Sequence, residues 1–111
     1  MNKRIKKLWI KALGRYKQGT NSLHPDAETF CCLGVLCDLY GKKHKVGWQL
    51  RNDQFRFLGR GGALPSVVMQ WEGLNDNDPI LGNRENSPSA SYLNDSGKTF
   101  NYIAARIEKY L

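Results

Sequence analysis

One segment, Phe30-Cys31-Cys32-Leu33-Gly34-Val35-Leu36-Cys37-Asp38-Leu39-Tyr40, restricts the folds open to this chain more than any other. It is apolar almost throughout, yet it holds all three cysteines, one glycine and one acid. A bilayer-spanning helix takes about 20 apolar residues, so this shorter run must instead be buried in a folded core. Its pattern predicts a helix from about Cys32 to Tyr40, stopped by Gly41, apolar on nearly every side and therefore central. Gly34 costs about 1 kcal/mol in a helix interior relative to alanine. That cost predicts close approach of another element, with the first helix as the nearest candidate.

The 111 residues suit one domain spanning 1–111, large enough to bury a core without disulfide staples. Three cysteines, two of them adjacent, make an internal pair unfavourable and point to reduced thiols in a cytosol. Lys6, Lys7 and Lys11 interrupt the amino-terminal apolar positions, which excludes the pattern of a secretory signal. No membrane partner is expected.

Charge is unevenly spread. Residues 1–17 carry seven basic groups (Lys3, Arg4, Lys6, Lys7, Lys11, Arg15, Lys17) and no acid, while the rest of the chain balances ten basic against ten acidic side chains. Within that remainder, 42–60 has six basic groups against Asp53, and 72–95 has five acids against Arg84. Polarised basic faces suit acidic partners, although a basic helix face also serves simply to keep a small protein hydrated.

Ile5, Leu8, Trp9, Ala12, Leu13 and Tyr16 recur at steps of three and four, predicting an amphipathic helix over 3–17. Residues 20–29 form a polar connection containing His24-Pro25-Asp26. Val46 to Leu58 alternates in polarity around the turn residues Arg51-Asn52-Asp53 and reads as a hairpin. A flexible loop, Gly59-Arg60-Gly61-Gly62, follows it. Pro65 opens a short helix to Glu72, closed by Gly73. Asn75-Asp76-Asn77-Asp78-Pro79 is a loop whose spacing fails for calcium, because Ile80 stands where a ligand is needed. Ser87-Pro88 opens another short helix to about Asn94, and Thr99 caps a last one with the stripe Phe100, Ile103, Ala104, Ile107 and Leu111. The expected fold class is α+β, with helices packed on a small antiparallel sheet in a single domain.

Two chemical readings of the cysteines fare poorly. On a helix Cys32 and Cys37 point about 140° apart, so they cannot share a zinc ion with His24 or His44; no metal or other cofactor is expected. A helix amino terminus lowers a thiol's pKa, and Cys32-Leu33-Gly34 faintly echoes the Cys-x-Gly string of papain-like hydrolases. Those enzymes need a histidine from a later strand, whereas His44 barely clears the same helix. A small cysteine-dependent hydrolase using Cys31 or Cys32 is therefore the alternative reading. Asp38, the helix's one acid, is expected to make a specific buried hydrogen bond.

The more suggestive set is the hairpin and its exit. Trp48, Phe55 and Phe57 offer aromatic surface, Arg56 and Arg60 add charge, and Gly59, Gly61 and Gly62 leave backbone N–H groups able to face an anion. Aromatic faces, basic side chains and an open glycine segment suit a nucleotide or a single strand. The Gly-Lys-Ser/Thr ending of a P-loop is missing.

Taken together, Cys-Cys-Leu-Gly-Val-Leu-Cys-Asp-Leu (31–39) resembles a signature of a family of small bacteriophage and prophage proteins. Trp9 to Leu13 with Tyr16-Lys17-Gln18-Gly19, Leu64-Pro65, and Leu93-Asn94-Asp95-Ser96-Gly97-Lys98-Thr99-Phe100 resemble other parts of that family. The resemblance transfers no catalytic residue. It implies a phage gene product in the cytoplasm of a bacterial host. The sequence thus leads to a non-catalytic accessory protein that binds an acidic target (a nucleotide signal, a nucleic acid or a host protein) and inhibits a host process such as antiviral defence. Its candidate binding residues are Lys7, Lys11, Arg15, Trp48, Arg56, Arg60, Gly61 and Gly62. Homo-oligomers and one-to-one inhibitors are equally compatible with this sequence.

Overall fold

A computed structural model describes residues 1–111. Its elements follow as α1 (Lys3–Leu13), α2 (Cys32–His44), β1 (Gln49–Arg51), β2 (Gln54–Arg56), α3 (Ser66–Glu72), α4 (Ala90–Asp95) and α5 (Phe100–Tyr110). The architecture is α+β, with one two-stranded antiparallel sheet.

The cysteine block forms α2, and Cys32 to Cys37 are all buried. The Cys31 sulfur caps it by accepting the Gly34 N–H at 3.4 Å. Gly34 has no room for a side chain, because a Cβ there would overlap the backbone carbonyl of Leu23. The close approach expected at Gly34 therefore comes from the loop before α2, not from α1. Gly41 does not stop the helix. It faces the Val46 carbonyl and the Phe57 ring, and α2 runs on to His44 before Lys45 turns left-handed at φ 58°. Lys42, Lys43 and His44 occupy the last turn, where a helix dipole favours positive charge.

Helix α1 is capped by Asn2, whose side chain accepts the Ile5 N–H at 3.0 Å. It buries Ile5, Trp9, Ala12 and Leu13. It ends at Leu13 with Gly14 as its cap, one turn short of the Lys17 the periodicity predicts. The chain leaves the helix there because Tyr16 and Gln18 have other partners. Gln18 bridges to Phe30, accepts the Phe100 N–H at 3.1 Å and donates to Asn94 and to the Lys98 carbonyl. Trp9 donates its indole N–H to the Cys32 carbonyl at 2.9 Å, which fixes α1 against α2. Lys6 donates to the Glu108 carbonyl of α5 at 2.9 Å.

The shorter helices follow their caps. Pro65 precedes α3 and Gly73 ends it at φ 71°. Helix α4 begins at Ala90, capped by Ser89 rather than opened at Ser87-Pro88. Thr99 caps α5 as its sequence predicts, and Phe100, Ile103 and Ile107 are buried beneath it. Asn94 is wholly buried; its amide accepts the Cys32 N–H and donates to the Gly19 carbonyl, joining α4 to α2 and to the segment after α1.

The hairpin pairs Gln49 with Arg56, Leu50 with Phe55 and Arg51 with Gln54. Asn52 and Asp53 both have positive φ, 49° and 63°, as the preferred two-residue hairpin turn requires. A second tight turn follows. Leu58 and Gly59 are also left-handed, and Phe57 and Arg60 exchange backbone hydrogen bonds of 2.7 and 2.9 Å across them. The glycine segment expected to be a free loop is thus anchored at its start.

Candidate ligand-binding site

Asp38 holds the hairpin to the helices. Its Oδ1 accepts the Trp48 indole N–H at 3.0 Å and its Oδ2 accepts the Tyr16 hydroxyl at 2.5 Å. Lys42, one turn along α2, lies 3.3 Å from the same carboxylate and donates to the Tyr16 oxygen at 3.1 Å. Burial first, and then the Asp38 carboxylate, push the Tyr16 phenol above its ordinary pKa, which keeps it a donor. The specific hydrogen bonding expected of Asp38 is here, part-buried and not fully buried, with two partners that lie ten and twenty-two residues away.

Trp48 is consequently no open stacking platform. Its ring is half-buried against Phe57, at 5.0 Å between centroids, and meets His24 edge-on at 4.7 Å. His24 lies between two aromatic faces, Phe30 at 4.0 Å and Phe55 at 4.3 Å. Only 6% of His24 is exposed. Its Nδ1 sits 2.7 Å from the Thr29 carbonyl, which can only accept, so Nδ1 carries a proton and Nε2 is the nitrogen left without a partner. Sequence reasoning passed over His24 as a loop residue. The rings that enclose it come from Phe30, Trp48 and Phe55, on two other segments.

Two open clefts flank Arg56. One, of about 620 Å³, is lined by Gln49, Arg51, Asn52, Arg56, Leu58 and Gly59, with two guanidinium groups and no acid. The other, of about 590 Å³, lies between residues 20–25 and the hairpin; His24, Asp53, Phe55, Arg56, Gly61 and Gly62 are among its walls. The Leu23 N–H donates to the Gly61 carbonyl at 2.7 Å, which sets His24 beside the glycines. The N–H groups of Gly61 and Gly62 have no backbone partner.

Of the residues singled out in the sequence, Arg56, Gly61 and Gly62 come together in this second cleft, and Arg60 is exposed on the adjoining turn. Arg51, which sequence reasoning left out, joins Arg56 in the first. Its pairing with Gln54 across from Gln49–Arg56 places both arginines on one face of the sheet, a relation that the alternation of the two strands could have disclosed. Lys7 and Lys11 lie elsewhere, in a shallow groove on α1 with Lys3, Arg4 and Leu8. Arg15 is exposed beyond the end of that helix.

The thiols are closed off. Cys31, Cys32 and Cys37 are free, buried and far from a reactive state. At Cys31 burial pushes the pKa up to about 11, outweighing the Gly34 and Leu33 N–H groups that pull it down. Burial raises Cys32 and Cys37 well above their ordinary value too. Cys32 spends its S–H on the Ala90 carbonyl at 3.5 Å. No group of three or more histidine, cysteine or acidic side chains is placed to hold a metal ion.

One further titratable group stands apart. Glu72, at the end of α3, is fully buried with no partner for either carboxyl oxygen. Burial pushes its pKa up to about 9, opposed by the Met1 amino group.

Fold and clefts together define a small α+β protein with an arginine-lined hairpin and sealed thiols. The chain belongs to the family described as Domain of unknown function (DUF8296), whose model matches residues 1–111. No curated protein and no solved structure matches it.

Proposed function

We propose that this protein is a non-catalytic binding protein whose hairpin holds a phosphorylated ligand. The carrying observation is the pair of clefts that share Arg56: one presents Arg51 and Arg56 without an acid, the other adds the unpartnered N–H groups of Gly61 and Gly62. Guanidinium groups pair bidentately with phosphate, and neighbouring free N–H groups supply fixed partial positive charge. Clefts of 620 and 590 Å³ lie in the size range of small-ligand sites. The buried, protonated thiols support a binding role over the cysteine-hydrolase alternative. The resemblance to phage and prophage proteins supports a target inside a bacterial host, where its sequestration would block a host process such as antiviral defence.

A second reading rests on α1, where Lys3, Arg4, Lys7 and Lys11 surround the half-exposed Leu8. That surface suits an acidic macromolecule more than a small molecule, because it is shallow and has no walls.

Native mass spectrometry of protein purified from bacterial lysate tests the first reading. A co-purifying phosphorylated species is expected, lost on Arg51→Glu with Arg56→Glu and kept on Lys7→Glu with Lys11→Glu. Retention by the hairpin variant would overturn the site.

A further inference from the structure

The cleft between residues 20–25 and the hairpin contains a feature that general anion binding does not require. His24 is more than nine-tenths buried, its Nδ1 is committed to the Thr29 carbonyl, and it still forms part of the cleft wall. A histidine fixed in this way by a backbone acceptor has its orientation and tautomer set. The remaining nitrogen, Nε2, has no partner in the chain, and the cleft that His24 helps to line is also lined by Arg56 and by Gly61 and Gly62, whose N–H groups are free.

We propose that this cleft takes the terminal phosphate of a hydroxyl-bearing phosphomonoester, with His24 Nε2, the Arg56 guanidinium and the Gly61 and Gly62 N–H groups around the phosphate. This assignment rests on the hairpin reading above and narrows its ligand class. A bare Nε2 repels a fully ionised phosphate oxygen, so the contact requires one proton in the Nε2···O bridge. A phosphomonoester is suited to supply it, because its second ionisation falls near pH 6, close to that of an imidazole near 6.5. The charged groups lining this cleft are Arg56, which favours the phosphate, and Asp53, which does not; behind His24, Asp26 is bonded to the Thr29 N–H and Asp38 to the Trp48 indole, while Phe30, Trp48 and Phe55 are uncharged.

Asp53 accounts for the hydroxyls. A carboxylate in the wall of an anion site weakens binding unless the ligand brings donors to it, and sugar hydroxyls are such donors. Sugar phosphates and nucleotides share this chemistry.

The test is imidazole and amide NMR of the full-length wild-type protein with inorganic phosphate, ribose 5-phosphate and AMP. Each is expected to shift the His24 Nε2 resonance and the Gly61 and Gly62 amides. Arg56→Gln should weaken all three ligands about tenfold or more. Asp53→Asn should leave inorganic phosphate unchanged and remove the advantage of ribose 5-phosphate over it; an unchanged advantage would overturn the hydroxyl part. AMP binding above ribose 5-phosphate identifies a nucleotide, and equal binding a sugar phosphate. Shifts confined to Gln49, Arg51 and Gly59 would overturn the His24 site while leaving the hairpin as an anion site. Absence of shifts in both clefts would overturn both.

Discussion

The Tyr16 hydroxyl and the Asp38 carboxylate lie 2.5 Å apart, and the other oxygen of that carboxylate receives Trp48. One side chain of α2 thus ties the chain leaving α1 to the base of the hairpin. Asp38→Ala would leave both donors without their acceptor. The expected loss is about 2–4 kcal/mol in urea unfolding, with a red shift of tryptophan emission as Trp48 meets water. Asp38→Asn, which keeps an acceptor oxygen, should lose less.

Gly34 gives the sharpest test of packing. On helix propensity alone, Gly34→Ala would stabilise α2 by about 1 kcal/mol. The Leu23 carbonyl occupies the place of the new Cβ, so the opposite sign is expected: a loss of several kcal/mol, on the order of 3, seen as a lower thermal midpoint. A neutral or stabilising result would mean that the loop at Leu23 does not sit against α2.

The same glycines show how much of the fold was legible in advance. Each helix was expected roughly where it stands, although α4 was opened at Ser87-Pro88 and not at its true cap Ser89; the signals that held are local: Thr99 three residues before Tyr102, Gly73 just after Glu72. The end of α2 was not. Gly41 looks like a stop only until Val46 and Phe57 close over it, and no local pattern encodes that contact. Lysine-rich residues 42–44 gave no hint of helix beyond their suitability for a helix carboxyl end. The site was half legible for the same reason. Arg56, Gly61 and Gly62 stand close together in sequence, whereas His24 acquires its aromatic walls only when the 20–29 segment meets the hairpin. Trp48 was read by residue type as an exposed face, but Asp38 turns its indole inward.

Glu72 should make the protein less stable as pH rises. Its native carboxyl holds a proton up to about pH 9, while in the unfolded chain it ionises near 4.5. The native state therefore binds more protons between those values, so its stability is complete below about 4.5 and declines as pH rises toward 9. Glu72→Gln is expected to remove this decline. Unfolding curves of the two proteins should nearly coincide at pH 4, and the variant should be more stable at pH 7 by on the order of 3 kcal/mol. Parallel curves at both pH values would refute the assignment.

The thiols should be silent in the folded protein. With Cys31 at about 11 and the other two raised well above their ordinary value, only about one Cys31 in a thousand is thiolate at pH 8. Iodoacetamide at pH 8 should leave the native mass unchanged and add three carbamidomethyl groups in denaturant, one for each cysteine. Rapid addition of a single group to native protein would revive the nucleophile that the fold disfavours.

Lys6 reaches across 102 residues to the Glu108 carbonyl, and α1 lies against α5 along much of its length. During synthesis α1 leaves the ribosome long before the segment that covers it has been made. Part of the face that carries Ile5, Trp9 and Leu13 is uncovered for that interval, on a helix whose opposite face is basic around Leu8. The nascent chain is thus a different object from the finished one: a cationic amphipathic helix awaiting its lid, at its most adhesive toward acidic surfaces in the seconds before it closes.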